Sequence, residues 1–396
     1  MSARLDEIVF DALDGFQIEL PSWGFANTGT RFGKFVQAAA ATTTEEKFAD
    51  AGEVHKVTGC CPSVAVHVLW DFPAGIKSVD ATKAAAAKAG VRVGAINPNV
   101  FQDQCYKHGS FGNPDPKVRE AALQHVFDSI EIMNATGSRD LSLWFADGSS
   151  FPGAQDIRRR KQWFTECLKQ THARLAEGKQ MLIEYKPFEP YSYFTDIADW
   201  GMSYIYSKHA GPKAKVLVDT GHHYQAQNIE QIVAWLLSED MLGGFHFNDR
   251  RYADDDLTMA SIDPYQTFRI FYEIAHYEWE TGTKPDIAYM VDQSHNLKDK
   301  TEEMIQTAMV AQELYAKAKI VDHAAIAAHQ EKCNLLDAEE CLKAAFATDV
   351  RPAIREWRKS KGLPEEPLAA FRESGYLDRI AKERREKNLG AVSTYA

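Results

Sequence analysis

The chain has 396 residues and a formal net charge of -11, from 45 Lys and Arg against 56 Asp and Glu. Hydrophobic residues make up 45% and charged residues 26%, ordinary globular values that exclude disordered and fibrous classes. The acid excess argues against nucleic acid and anionic membrane surfaces as partners, and it favours cations, divalent metals among them.

No apolar run approaches the ~18–20 residues that a membrane span needs. The opening stretch MSARLDEIVFDALDGFQIEL carries acids within its apolar run, unlike a secretion signal. Cys60, Cys61, Cys105, Cys167, Cys333 and Cys341 form no CxxC pair. That is the usage of free thiols in a reducing compartment, so a cytoplasmic location is expected.

Runs of β-branched and aromatic residues alternate with helical patterns along the chain. A strand is predicted at 16–22 (FQIELPS), then a helix within 45–57. The next pairs are 64–70 (VAVHVLW) with 81–90, 91–96 (VRVGAI) with 118–137, and 140–145 (DLSLWF) with 160–178. Then come 181–186 (MLIEYK) with 197–211, 214–219 (AKVLVD) with 229–242, 243–248 (GGFHFN) with 265–279, and 287–292 (IAYMVD) with 298–318. Alternation of this kind argues a parallel α/β architecture, and eight units is the count of a (β/α)8 TIM barrel. A doubly wound open sheet would also alternate, but it usually shows a glycine-rich phosphate turn, and neither GxGxxG nor GxxxxGK[ST] is present. Residues 1–318 are read as the catalytic barrel. Residues 319–396 are read as a helical extension packing on its own barrel or on a neighbouring subunit. The basic runs at 158–161 (RRRK) and 382–387 (KERREK) are read as solvated helix faces.

In a barrel the carboxyl ends of the strands build the active site. Strand five ends with Glu184 and Lys186, strand six with Asp219 followed by His222 and His223, strand seven with His246 and Asp249, and strand eight with Asp292 and His295. Alone, each has a plain reading: His246 as a core histidine, Glu184 with Lys186 as an ion pair, Asp292 as a strand-end cap. Together, three carboxylates and one ammonium in a half-buried mouth lack a counter-charge, which a divalent cation supplies. Glu184, Asp219, His246 and Asp292 therefore form a candidate four-ligand site. Its hard oxygens and single imidazole suit Mn²⁺, Mg²⁺ or Co²⁺. A second ion is suggested by His222, three residues after Asp219, and by Asp254 and Asp256. In an extended loop those two would point the same way, with Asp219 as a bridge. The triplet 254–256 also reads as a solvated turn.

Earlier strand ends add His67 with Trp70, and Trp144 followed by Asp147. Flat rings beside polar groups suit a sugar pocket, or else they are packing residues. His67 has the ordinary near-neutral pKa of a general acid or base. The polar stretch 101–116 could fold over the pocket as a lid.

The combination IEYKPFEP, VDTGHH, GGFHFNDRRYADDD and VDQSHN resembles the bacterial L-rhamnose isomerases of broad substrate range, within the xylose-isomerase-like barrel superfamily. The likeness extends from PSWGFANTGTRFGKF at 21–35. It implies a structural metal on Glu184, Asp219, His246 and Asp292, and a catalytic metal on Asp219, His222, Asp254 and Asp256. It also implies Lys186 at the first oxygen of the substrate, His67 at the ring oxygen, and Trp70 and Trp144 as an apolar wall. Phe32 would be passed to a neighbouring subunit's pocket in a homotetramer. Xylose isomerases mostly use carboxylates at the position of His246 and a Glu at that of Asp219. The implied reaction is a metal-assisted 1,2-hydride shift, most simply from L-rhamnose to L-rhamnulose, with D-allose and D-psicose as further candidates; a route through an enediol is also open. Mn²⁺ is expected ahead of Co²⁺ and Mg²⁺. A ketose 3-epimerase of the same superfamily is the alternative, but it would leave Asp254 and Asp256 unexplained. A zinc endonuclease of this fold would want a basic groove, and a non-enzymatic scaffold would not need Trp70, Trp144 and Lys186 around one mouth.

Overall fold

A computed structural model of the protein describes residues 2–27, 36–149, 151–188 and 195–389. The eight predicted strands are present as β1 (Leu20–Pro21), β2 (Ser63–His67), β3 (Arg92–Asn97), β4 (Asp140–Leu143), β5 (Gln180–Glu184), β6 (Ala214–Asp219), β7 (Leu242–Phe247) and β8 (Ala288–Val291). They pair in chain order, each with its neighbour in parallel. Glu19 brings β8 back to the first strand: its N–H donates to Tyr289 O at 2.8 Å, and Val291 N donates to its carbonyl at 2.9 Å. The expected TIM barrel is the fold.

The intervening helices start where a side chain can satisfy their free amides. Thr43, Asp115, Asp156, Asp199, Asn228, Asp263 and Asp299 each cap a first turn. The largest departures from the expected strand boundaries are at β1 and β2. The first strand was expected from residue 16, but its ladder is two residues long, and Ser22–Phe25 turn into a short 3-10 helix. The second strand stops at His67, because Asp71 Oδ2 accepts His67 N and draws Val68–Asp71 into a helical turn.

The core has two layers. Outside the strands, Phe16, Phe245, Phe247 and Phe271 pack with helix residues such as Tyr315. Within the barrel, Ala65, Ala95, Leu182, Leu217 and Met290 form a smaller layer under Trp23. The terminal helices add Ile326, Ala345, Phe371, Tyr376 and Ile380 to the outer core. An N-terminal helix, Ser2–Asp14, for which the sequence pattern had suggested no element, packs with Arg351–Ser360 through Val9, Leu13, Ile354 and Trp357. Two cations expected on solvated faces are instead buried. Arg160 forks onto Asp196, and Arg384 reaches Asp50 at 2.7 Å and the carbonyl of Ala39 at 2.8 Å. Among the described residues no helix is long and apolar enough to cross a membrane.

Gly94 is needed for a specific close approach. The register slips between Val64 and Val66 on β2, and the Glu19 carboxylate accepts the amide of Ala95 at 2.7 Å. A Cβ on Gly94 would stand inside that carboxylate. Gly94→Ala should lower stability by about 1–3 kcal/mol, the usual range for overpacking. A urea unfolding midpoint equal to wild type would contradict this.

The docked helix His323–Glu331 carries an acid-sensitive contact. His323 stacks on Tyr272 at 5.2 Å and faces His276 at 5.4 Å. Burial, then the positive charges of His276 and Lys319, push its imidazole down to about 4, with Asp322 opposing. A folded value below the ordinary 6.5 means the contact is fully present above pH 6.5 and is lost as pH falls through 4. The melting temperature should therefore drop more steeply between pH 7 and 4 in wild type than in His323→Phe; equal slopes would show that this residue is not responsible.

Candidate metal centre at the carboxyl end of the barrel

Strand register delivers the acidic and imidazole groups to one level. Asp219 pairs with His246 across β6 and β7, Glu184 ends β5, and Asp292 follows β8 directly. Ligand atoms of Glu184, Asp219, His246 and Asp292 all lie within 4.8 Å of one another, and so do those of Asp219, His222 and Asp254. His246 Nδ1 is 3.2 Å from Glu184 Oε2, 3.7 Å from Asp292 Oδ2 and 3.9 Å from Asp219 Oδ2. His222 Nδ1 is 2.9 Å from the carbonyl of Tyr185, which can only accept, so that nitrogen carries a proton. Nε2 is thereby turned to Asp254 at 3.4 Å and Asp219 at 3.9 Å. A ring nitrogen fixed by a carbonyl, with the other aimed at carboxylates, is the usual arrangement of a ligating histidine.

Like charges crowd the site and shift its titrating groups. Burial, aided by the charges of Glu184, Asp254 and Asp292, lifts Asp219 to about 7 despite His222. Burial alone would depress His246, but Glu184 and then Asp292 and Asp219 outweigh it and raise the ring to about 9. Burial would raise Glu184, yet His246 and His222 hold it down to about 2. Asp219 Oδ2 and both ring nitrogens of His246 are buried with no hydrogen-bond partner. Orphaned polar atoms converging from two neighbouring strands, within a donor set that is mostly hard oxygen, fit a divalent cation.

The three acids of the triplet do different things. Asp254 turns inward, 2.5 Å from Lys186 Nζ. Asp255 accepts the amides of Arg251 and Tyr252 and closes the turn. Asp256 has a left-handed backbone, φ 49°, and accepts from Ser294 Oγ at 3.0 Å. That conformation breaks the alternation expected of an extended loop, so Asp256 does not join Asp254 in the second group. Three further strand-end residues are held elsewhere. His223 pairs with the Tyr185 hydroxyl, Asp249 accepts the amides of Ile262 and Asp263, and His295 contacts Glu303.

Facing the ligand groups is a run of aromatic rings. His67 lies between Trp23 at 4.7 Å and Trp70 at 4.1 Å, and Phe101 links Trp70 at 6.2 Å to Trp144 at 5.0 Å. Lys186 Nζ lies 5.5 Å from the Trp144 ring centre. Trp23 and Phe101 were not singled out from sequence; the only signal was position, since each follows a strand end. Trp23 also donates to Asp292 Oδ1 at 2.7 Å. Burial, then the charges of Lys47 and His246, push His67 down to about 3. The ring therefore stands neutral, and the near-neutral titration expected from its residue type does not hold here. Phe32 lies outside the described residues.

The stretch expected to form a lid is tied down at its far end. Asp147 accepts Ser110 N, Ser110 Oγ and Gly112 N at 2.6, 2.7 and 2.8 Å, and Arg160 donates to His108 O at 3.1 Å.

With this geometry in view, comparison with known proteins is informative. The model of the xylose isomerase-like TIM barrel matches residues 64–269, and the chain belongs to that family. A probable sugar isomerase of Rhizobium meliloti is 39% identical over 374 residues, covering 93% of this chain and 86% of that protein. A probable sugar isomerase of Mesorhizobium japonicum is 37% identical over 395 residues, covering 97% and 91%. Among solved structures, a xylose isomerase domain protein from Alicyclobacillus acidocaldarius superposes with a TM-score of 0.53 at 16% identity, over 77% of this chain and all of that one. An L-ribulose 3-epimerase gives 0.53 at 12% identity, over 81% of this chain and 98% of its own. At those identities the likeness is one of fold.

Arg160 is wholly buried between Asp196 and Asp147, so removing its charge leaves two carboxylates without their cation. Arg160→Met should cost about 3–5 kcal/mol. Denaturant unfolding within about 1 kcal/mol of wild type (the scale of an exposed pair) would show that the buried charge is not needed there.

Proposed function

We propose that the protein is a divalent-metal-dependent aldose–ketose isomerase, with interconversion of L-rhamnose and L-rhamnulose as its leading reaction and D-allose with D-psicose as a further pair. The observation that carries this reading is the pair of ligand groups sharing Asp219, with Lys186 beside one of them and an aromatic wall opposite. Glu184, Asp219, His246 and Asp292 would hold one ion. Asp219, His222 and Asp254 would hold a second, with Asp256 as the further ligand that the sequence resemblance implies. When bound, such ions, Mn²⁺ first and Co²⁺ or Mg²⁺ next, supply Lewis acidity toward the hydroxyl and carbonyl oxygens of a sugar.

This chain's own residues do the rest. Lys186 places a positive charge where charge develops on the first sugar oxygen. Trp23, Trp70, Phe101 and Trp144 cover the apolar faces of the sugar and exclude water, which favours direct movement of hydrogen between adjacent carbons. His67, neutral in its aromatic cage, offers a hydrogen bond to the ring oxygen without adding charge. The protein is expected to work as a homotetramer in the cytoplasm. A ketose 3-epimerase, the competing reading within the same fold, leaves the Lys186–Asp254–His222 grouping without a task.

The test is a metal-stripped preparation incubated with a panel of aldoses and ketoses, each metal then restored. L-Rhamnulose should form from L-rhamnose only after Mn²⁺, Co²⁺ or Mg²⁺ is added, and Lys186→Gln should lose at least ten-fold in kcat (~1.4 kcal/mol) while still folding. Epimerisation of ketoses at C3 faster than any aldose conversion would replace this reading with the other.

A further inference from the structure

Asn248 follows β7 directly and is buried. Its backbone is locked to the residue after β6. Asn248 N donates to Thr220 Oγ1 at 3.0 Å, and Thr220 Oγ1 donates to Asn248 O at 2.9 Å. Its side-chain amide donates twice, to Asp219 Oδ1 at 2.9 Å and to the carbonyl of Asp292 at 3.0 Å. Both partners accept only, so the NH₂ end must face them. One side chain thus joins the ends of three strands.

Asp219 Oδ1 also accepts the amide of Gly221 at 2.7 Å. With two donors on one oxygen, the carboxylate cannot turn without breaking charge-assisted bonds in a buried place. Its other oxygen, Oδ2, has no hydrogen bond and lies 3.9 Å from His246 Nδ1 and 3.9 Å from His222 Nε2. Those nitrogens belong to different ligand groups. Gly221 leaves the room for this arrangement. A Cβ there would stand 2.5 Å from Asn248 Oδ1 and 2.9 Å from Asp254 Oδ1.

We infer that Asn248 is a positioning residue that clamps Asp219 so that a single oxygen, Oδ2, serves both ligand groups. The inference deepens the two-ion reading above and rests on it. Two ions on one oxygen are electronically coupled, so loss of the clamp separates two quantities: how tightly ions bind, and how strongly they sense each other.

The experiment uses the full chain, stripped with a chelator and titrated with Mn²⁺ by equilibrium dialysis; the loaded samples are then read by electron paramagnetic resonance. Wild type should take up two ions and give an exchange-coupled spectrum. Asn248→Ala should bind Mn²⁺ about 10–100-fold more weakly, the usual effect of losing a partner of a ligand, and its coupling should be reduced. Asn248→Leu keeps much the same side-chain volume but has no N–H to donate; it should shift both readings the same way and decides the matter if Asn248→Ala does not fold. Unchanged affinity and spectrum in the variants would overturn the clamp while leaving the two-ion reading intact. Weaker binding with an unchanged coupled spectrum would also overturn it, since a merely structural role does that. Fewer than two ions on wild type would bring down the reading and the clamp together.

Discussion

Like charge confined in a small, dry volume is the constraint on which the rest of the molecule turns. Four carboxylates, from Glu184, Asp219, Asp254 and Asp292, converge at the mouth of the barrel with two imidazoles and one ammonium. The carboxylates raise the imidazoles of His222 and His246, and their mutual repulsion, with burial, drives Asp219 toward its protonated form. Such a cluster survives folding only because strong neighbours hold it. At Asp219 the hydrogen bonds from Gly221 and Asn248 are directed at Oδ1, which turns Oδ2 toward the two imidazoles.

The frame that makes this possible is distributed over the chain. The two-layer core fixes strand ends, and the strand ends fix the carboxylates. Thr220 and Asn248 continue the β6–β7 pairing past the last ladder bond, so the register that sets Asp219 opposite His246 is carried into the site. Trp23 binds Asp292 from the other side and ties the aromatic wall to the acidic cluster. The buried cations Arg160 and Arg384 do similar work at a distance, each holding segments that meet the mouth or its approach.

Family membership and local geometry bear on different questions. The barrel family, matched over residues 64–269, and the probable sugar isomerases, similar in sequence over nearly the whole chain, narrow the class of chemistry. The fold neighbours include both an isomerase domain and an epimerase, so fold alone does not choose between them. The proposed preference for an isomerase over an epimerase rests instead on this chain's own Asp219–His222–Asp254 grouping and on Lys186 beside it.

Alternation of strand and helix patterns, repeated eight times, was enough to indicate the barrel from sequence, because such periodicities are local signals. The ends of β5 to β8 were legible for the same reason: a polar residue at the end of an apolar run stands out. What could not be read were choices made by long-range contact. The left-handed backbone of Asp256, the burial of Arg160 within a basic run, the neutral state of His67 and the capture of Asp219 by Asn248 all depend on groups tens or hundreds of residues away. Spacing says which side chains can meet; torsions and through-space fields, which exist only in the folded chain, decide which oxygen faces which nitrogen.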